Sequence, residues 1–127
     1  MEKHELLYGV QSGDVIHRDF SVRLPVIRDT IDALRLTHEA CGTTEGAAAN
    51  MYYKVTVMAL VLTSLGSLAK EDITPELLLD ALNDEDFDII DAQIEAVKKK
   101  RMPSKSDSPD TELLSSPSGD TASQNGK

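Results

Sequence analysis

His38 and Cys41 lie three residues apart, so both could contact one metal ion from the same side of a helix. A zinc site needs further ligands, and only His17 or the carboxylates remain to supply them. A Cys-His nucleophile pair would also need a third, orienting group and a pocket. We therefore expect no catalytic site, no metal site and no cofactor, with Cys41 a small buried residue and His38 a surface residue.

Acidic side chains form the second group that could do chemistry, because residues 71–95 hold ten carboxylates and no basic side chain. Carboxylates can act as general acids and bases, or bind calcium from a loop. The segment 83–86 lacks the glycine that an EF-hand loop requires, and Phe87 interrupts the ligand spacing. We expect a solvated face and acidic helix starts, with a binding surface for a basic partner as the alternative. The ten residues are Glu71, Asp72, Glu76, Asp80, Asp84, Glu85, Asp86, Asp88, Asp91 and Glu95.

Charge and hydropathy restrict the class of partner. The formal net charge of -9 would repel a nucleic-acid backbone and an anionic membrane surface. Only 15 uncharged residues separate Lys54 from Lys70, fewer than the roughly 20 apolar residues of a membrane-spanning helix. The N-terminal residues do not have the pattern of a signal peptide. We expect a cytoplasmic protein that binds neither nucleic acid nor membrane.

Alternating apolar and polar residues predict a β-hairpin over residues 5–24, with its turn around residues 12–14. A three-residue loop aligns most of the apolar positions of the two strands, so we prefer that register to one with a two-residue loop. It pairs Val10 with Ile16, Tyr8 with Arg18 and Leu6 with Phe20.

Helical spacing of apolar residues predicts four helices, at about 26–41, 45–65, 75–82 and 84–101. The buried stripe of the first helix is expected to consist of Ile27, Ile31, Leu34 and Cys41. Charges that alternate in sign, at helical spacing, are expected on its opposite, solvated side. They are Arg28, Asp32, Arg35 and Glu39.

Residues 46–65 are the most apolar segment of the chain, with Lys54 as their only charge. A helix that is apolar nearly all round must be covered by something. It could be the central core helix of a small domain. Alternatively, part of it faces a partner or a second copy, and its methionines would suit an irregular hydrophobic surface. The residues assigned to partner binding in that case are Met51, Tyr52, Val55, Met58 and Leu62.

These elements predict an α+β fold, mostly α, in which an N-terminal β-hairpin precedes a small bundle of about four helices. Residues 1–102 are expected to form a single globular domain. Residues 103–127 are rich in Ser, Pro, Asp and Gly, and only Leu113 and Leu114 among them are strongly apolar. This composition predicts a flexible C-terminal tail.

One series of features resembles a known family. Residues 19–33, DFSVRLPVIRDTIDA, combine a strand, a Leu-Pro step and a helix with Asp29 in its first turn and Ala33 four residues on. A middle helix, a short helix opened by ITPE at residues 73–76 and an acidic last helix from Asp84 to Ile94 follow. Over about residues 14–100 the chain resembles the tail assembly chaperones of Mu-like contractile-tailed bacteriophages.

The resemblance implies a non-enzymatic protein that binds the tape measure protein and keeps its hydrophobic helices soluble. Tail tube subunits then polymerise around that protein, and the chaperone is absent from the mature virion. Many such chaperones also exist in a longer, frameshifted form, and the segment after Met102 would then contact tube subunits.

Two other classes of function remain as hypotheses. The chain could be a small structural or adaptor protein that is retained in a larger assembly. It could also be an enzyme with a carboxylate site, which Asp84→Asn or Asp88→Asn would inactivate without unfolding the chain. An exposed apolar patch would in addition permit a homo-oligomer.

Overall fold

The computed structural model describes residues 3–103. Three strands and four α-helices confirm the predicted fold class, and the α4 bounds are those predicted. The sheet is antiparallel with strand order β1-β2-β3, so it has one strand more than the predicted hairpin. Apart from Pro103, the predicted tail lies outside the described residues. The elements are β1 (His4–Ser12), β2 (Val15–Val22), α1 (Ile27–Cys41), α2 (Ala47–Val61), β3 (Leu62–Leu65), a 3-10 turn (Lys70–Asp72), α3 (Pro75–Ala81) and α4 (Asp84–Arg101).

The loop between β1 and β2 has two residues instead of the predicted three, because Ser12 pairs with Val15. Val10 consequently lies opposite His17 and not opposite Ile16. The predicted register is therefore wrong at the turn. Aligning the apolar positions favoured the longer loop only if both strands are regular along their whole length. Strand β1 is not regular, because its register shifts between Glu5 and Val10.

β1 bulges away from β2 between Glu5 and Val10. Residues 6–9 of β1 stand opposite Arg18 alone, and Phe20 pairs with His4 rather than with Leu6. The predicted pairing over this stretch is also wrong. A bulge adds residues to one strand only. Leu6 and Val10 are both buried in the core, although Val10 pairs with β2 and Leu6 lies in the bulge.

Helix α2 ends at Val61, and the chain continues directly into β3, where the sequence predicted helix to residue 65. The helix can end here because other groups bind the carbonyl oxygens at its C-terminal end, which lack helical partners. The Lys70 ammonium donates hydrogen bonds of 2.6 to 3.1 Å to three of them, those of Ala59, Leu60 and Leu62. The backbone N–H of Arg23 donates a hydrogen bond of 3.0 Å to a fourth, the carbonyl oxygen of Val61.

The hydrophobic core is aliphatic around Phe20 and lies between the sheet and helices α2, α3 and α4. Among the described residues, helix α1 contributes only Ala33 to the buried apolar side chains. Leu62 and Leu65 of β3 are both fully buried, so the end of the apolar segment contributes to the core as a strand. The second half of this segment, from Val55 to Leu65, therefore serves the core, while α1 lies largely outside it.

Candidate functional site

Three large apolar side chains of α1 are exposed to solvent: Ile27 by 75%, Ile31 by 51% and Leu34 by 43%. They are four and three residues apart, so they follow one another along one side of the helix. We call Ile27, Ile31 and Leu34 the α1 stripe. The prediction that these residues and Cys41 are buried is wrong, since Cys41 is exposed as well.

The face that α1 turns toward the protein consists instead of Asp29, Ala33 and Thr37. These residues also recur every four positions, on a line about a third of a turn from the α1 stripe. The Thr37 hydroxyl donates a hydrogen bond of 2.7 Å to the Ala33 carbonyl oxygen, so its buried polar atom has a partner. The apolar periodicity indicated the wrong face because the buried positions are small or polar.

An ion pair with Asp29 fixes this rotation of α1. Arg23 donates from Nη1 to Oδ2 and from Nη2 to Oδ1, both at 2.8 Å. Asp29 Oδ2 also accepts from the backbone N–H of Val26 at 2.8 Å, at the start of the helix. The hydrogen-bonded Arg23 guanidinium holds the pKa of Asp29 below its usual range, although burial opposes the shift. Turning α1 to bury its stripe would break these contacts.

We expect Asp29→Asn to lower the free energy of unfolding by about 2 kcal/mol at neutral pH. The folded-state pKa of Asp29 lies below the unfolded-state value of about 4, so the ion pair stabilises the fold fully above that value. The contribution is lost as the pH falls through the folded-state pKa. Denaturant unfolding of both proteins should therefore show a constant difference from about pH 7 to pH 5 that shrinks toward pH 2. A difference independent of pH would contradict this role.

Charged residues lie beside the α1 stripe rather than opposite to it. Arg35 pairs with Glu39 at 3.3 Å and lies 4.0 Å from Asp32, each along the helix. Arg28, one turn before Asp32, is exposed. We call Arg28, Asp32, Arg35 and Glu39 the charged flank.

Most of the residues predicted for partner binding are in the core. Val55, Met58 and Leu62 are each less than 5% exposed, so the assignment of these three to a partner surface is corrected. Met51 is 42% exposed and remains accessible. Tyr52 is half-buried, and its hydroxyl donates to Glu76 Oε2 at 2.7 Å. Burial, together with this bond, raises the pKa of Tyr52 to about 12.

The acidic segment contains one residue that differs from the expected solvated face. Asp86 is fully buried, and its carboxylate accepts three backbone N–H groups from the β1 bulge. Oδ1 accepts from Leu7 at 2.7 Å, and Oδ2 accepts from Tyr8 at 3.1 Å and Gly9 at 2.9 Å. The Asp86 backbone N–H in turn donates to the side chain of Asn83 at 2.9 Å. Every carboxylate oxygen of Asp86 is occupied, which makes this a structural residue.

The chemistry-bearing residues singled out above do not converge on one site. His38 and Cys41 both lie on the exposed part of α1. Within residues 3–103, no group of three His, Cys, Asp or Glu side chains is arranged to hold a metal ion. No pattern in the sequence indicated that the α1 stripe would be a surface, because its apolar spacing predicted a buried face.

A second surface feature lies at the tip of the hairpin and along α3. A cavity of about 530 Å³ opens there, lined among others by Tyr8, Ile16 and Leu77. Tyr8 and Ile16 are both about half exposed. Among the residues that the structure describes, Asp80 is the one carboxylate in the cavity lining.

Comparison of the chain with protein-family models, with curated proteins and with solved structures finds no match. Across the described part of the chain, none of the helices combines the length and apolar character needed to cross a membrane. The α1 stripe and its charged flank are therefore the features on which a functional proposal can rest.

Proposed function

We propose that this chain is a non-enzymatic assembly chaperone that holds a hydrophobic helical segment of a partner against the α1 stripe. The observation that carries the proposal is the regular exposure of Ile27, Ile31 and Leu34 on a helix whose other face is anchored by Asp29. An apolar line at spacings of four and three residues matches the way in which one amphipathic helix packs on another.

The resemblance to the tail assembly chaperones of Mu-like phages supports a particular partner, the tape measure protein. Two residues that carry the resemblance, Asp29 and Ala33, form the buried face of α1 and so determine which side of the helix is presented. In this proposal the chain acts in the host cytoplasm, releases its partner to the tail tube subunits and is absent from the mature virion.

The net charge of -9 fits the same role. A protein that presents apolar surface needs strong charge elsewhere to remain dispersed. The charge also disfavours nucleic acid as the partner. An enzyme is a weaker candidate, because neither the acidic segment nor the cavity near α3 brings a nucleophile and a base together in the described residues.

We expect Ile31→Glu to weaken the complex with the tape measure protein by about a hundredfold, because a carboxylate would be placed in an apolar contact. Co-expression followed by size-exclusion chromatography measures this as loss of soluble partner. Ala40→Glu introduces the same charge at an exposed position of the same helix, away from the stripe, and should leave the complex intact. The variant Met51→Glu tests Met51, the residue of the predicted partner-binding set in α2 that remains exposed.

Equal binding by wild type and Ile31→Glu, with both variants folded, would remove the α1 stripe from the proposal. The protein content of purified phage particles distinguishes the chaperone hypothesis from the adaptor hypothesis. A chaperone is missing from them, whereas an adaptor is retained at fixed stoichiometry.

A further inference from the structure

We infer that a second copy of this chain covers the α1 stripe, with the two α1 helices packed antiparallel about a two-fold axis. The inference concerns the chain on its own and goes beyond the partner proposed above. It is carried by the order of the charges along α1, which is self-complementary when one helix is reversed against another.

The charged flank has a symmetric spacing. Its four residues are separated by four, three and four positions, so the spacing reads the same from either end. The signs do not read the same: they run plus, minus, plus, minus from Arg28 to Glu39. Reversal therefore places each positive charge opposite a negative one. Arg28 of one copy meets Glu39 of the other, and Asp32 meets Arg35, twice each in a symmetric pair.

The direction of pairing follows from where the charged flank lies. It occupies one side of the α1 stripe only, while the other side leads to the face that α1 turns toward the protein. In an antiparallel pair with the stripes in contact, the same side of both helices meets, so flank faces flank. In a parallel pair, the charged flank of one copy would face the uncharged side of the other. The antiparallel arrangement alone uses the complementarity.

The stripe is long enough for such a contact. A helix of 15 residues extends about 22 Å, and the stripe occupies its first two turns with His38 continuing the same line. The two-fold axis required by the charges passes the helix next to Leu34. Leu34 and Ile31 of both copies then lie near the centre of the contact, Ile27 lies toward each end, and the ion pairs lie along one side. This is the usual distribution of apolar and charged residues in an interface.

If the α1 stripe also binds a partner as proposed above, the second copy and the partner exclude one another. That consequence rests on the proposed function, whereas the pairing itself is tested with the full chain alone. A failed co-expression experiment would therefore leave the pairing standing, and a monomeric chain would leave the partner proposal standing.

The test uses two single variants of the full chain, Arg28→Glu and Glu39→Arg, in sedimentation velocity. Wild type should shift from monomer to dimer as its concentration is raised to about 200 µM, because a pairing of one helix from each copy is a small interface that becomes populated only at high concentration. Each variant places two like-charged pairs across the interface and should dimerise about tenfold more weakly. An equimolar mixture restores both opposite-charge pairs, so its dimerisation should return to near the wild-type level.

Weaker dimerisation of each single variant together with recovery in the mixture supports the antiparallel register, because in a parallel pair the charged flank faces the uncharged side of the other copy and neither substitution creates a like-charged pair. Circular dichroism of each variant establishes that α1 remains helical, since both substitutions also change charge spacing within the helix. A monomeric wild type over the whole concentration range would overturn the inference. So would a mixture that dimerises no better than the single variants.

Discussion

Asp86→Asn is expected to lower the free energy of unfolding by about 3 kcal/mol, and the melting temperature by about 15 °C. The carboxylate accepts three backbone N–H groups of the β1 bulge, from Leu7, Tyr8 and Gly9. Asparagine has one acceptor oxygen and one NH2 group, so in either orientation at least one N–H of the bulge faces another donor. The side chain of Asp86 is fully buried and its bond to Gly9 is buried as well, so the loss of an acceptor there is costly.

The matched control is Asp88→Asn, two residues further along α4, where the carboxylate is exposed. It removes the same charge from the same helix turn and should change stability by less than about 0.5 kcal/mol. Equal effects of the two substitutions on chemical unfolding would show that the loss of charge near the start of α4 matters and the buried hydrogen bonds do not.

Asp86 also shows where reasoning from sequence stops. The sequence places it among ten carboxylates, most of which are solvated, and nothing in its immediate neighbours distinguishes it. The relevant signal lies 77 positions away, at Gly9, a lone glycine inside an alternating strand. Such a glycine indicates a bulge or a close backbone approach. Gly9 therefore predicts that backbone N–H groups of a bulge need an acceptor, but it does not predict which side chain accepts from them.

The orientation of α1 was unpredictable for a related reason. Its bounds followed from Pro25 and Gly42 to within one residue, because start and stop signals are local. Which face is buried is a tertiary property. The ion pair between Arg23 and Asp29 and the small side chain of Ala33 determined it, against the stronger apolar signal of the α1 stripe. A misplaced apolar face of this kind is itself informative, since exposed apolar residues at regular spacing favour a function in binding.

For the apolar segment at residues 46–65, composition showed that the helix must be covered, but left open whether the domain core or a partner covers it. The core covers its second half, which includes three of the residues that were assigned to a partner. The switch from helix to strand after Val61 did not follow, since both structures accept residues such as Leu62 and Thr63. It depends on β2 offering an unpaired edge and on Lys70 reaching the end of α2.

Gly66→Ala is the second substitution with a large expected effect, a loss of about 3 kcal/mol of unfolding free energy. Gly66 follows β3 with a φ of 57°, a left-handed conformation that costs a residue with a Cβ about 1 kcal/mol. A Cβ at this position would also overlap the imidazole ring of His17. The ring cannot easily yield, because His17 is buried and its Nδ1 accepts the backbone N–H of Ser67 at 3.2 Å.

Gly13→Ala separates the two causes. Gly13 has nearly the same backbone angle, a φ of 62°, but a Cβ there would meet no atom within 4 Å. Its substitution should therefore cost only the conformational part, about 1 kcal/mol, and the difference of about 2 kcal/mol measures the overlap with His17. Similar losses for both alanine variants in chemical unfolding would mean that the His17 ring gives way. The contact between β2 and the segment after β3 would then be looser than the burial of His17 implies, because a tightly packed side chain has no second position to occupy.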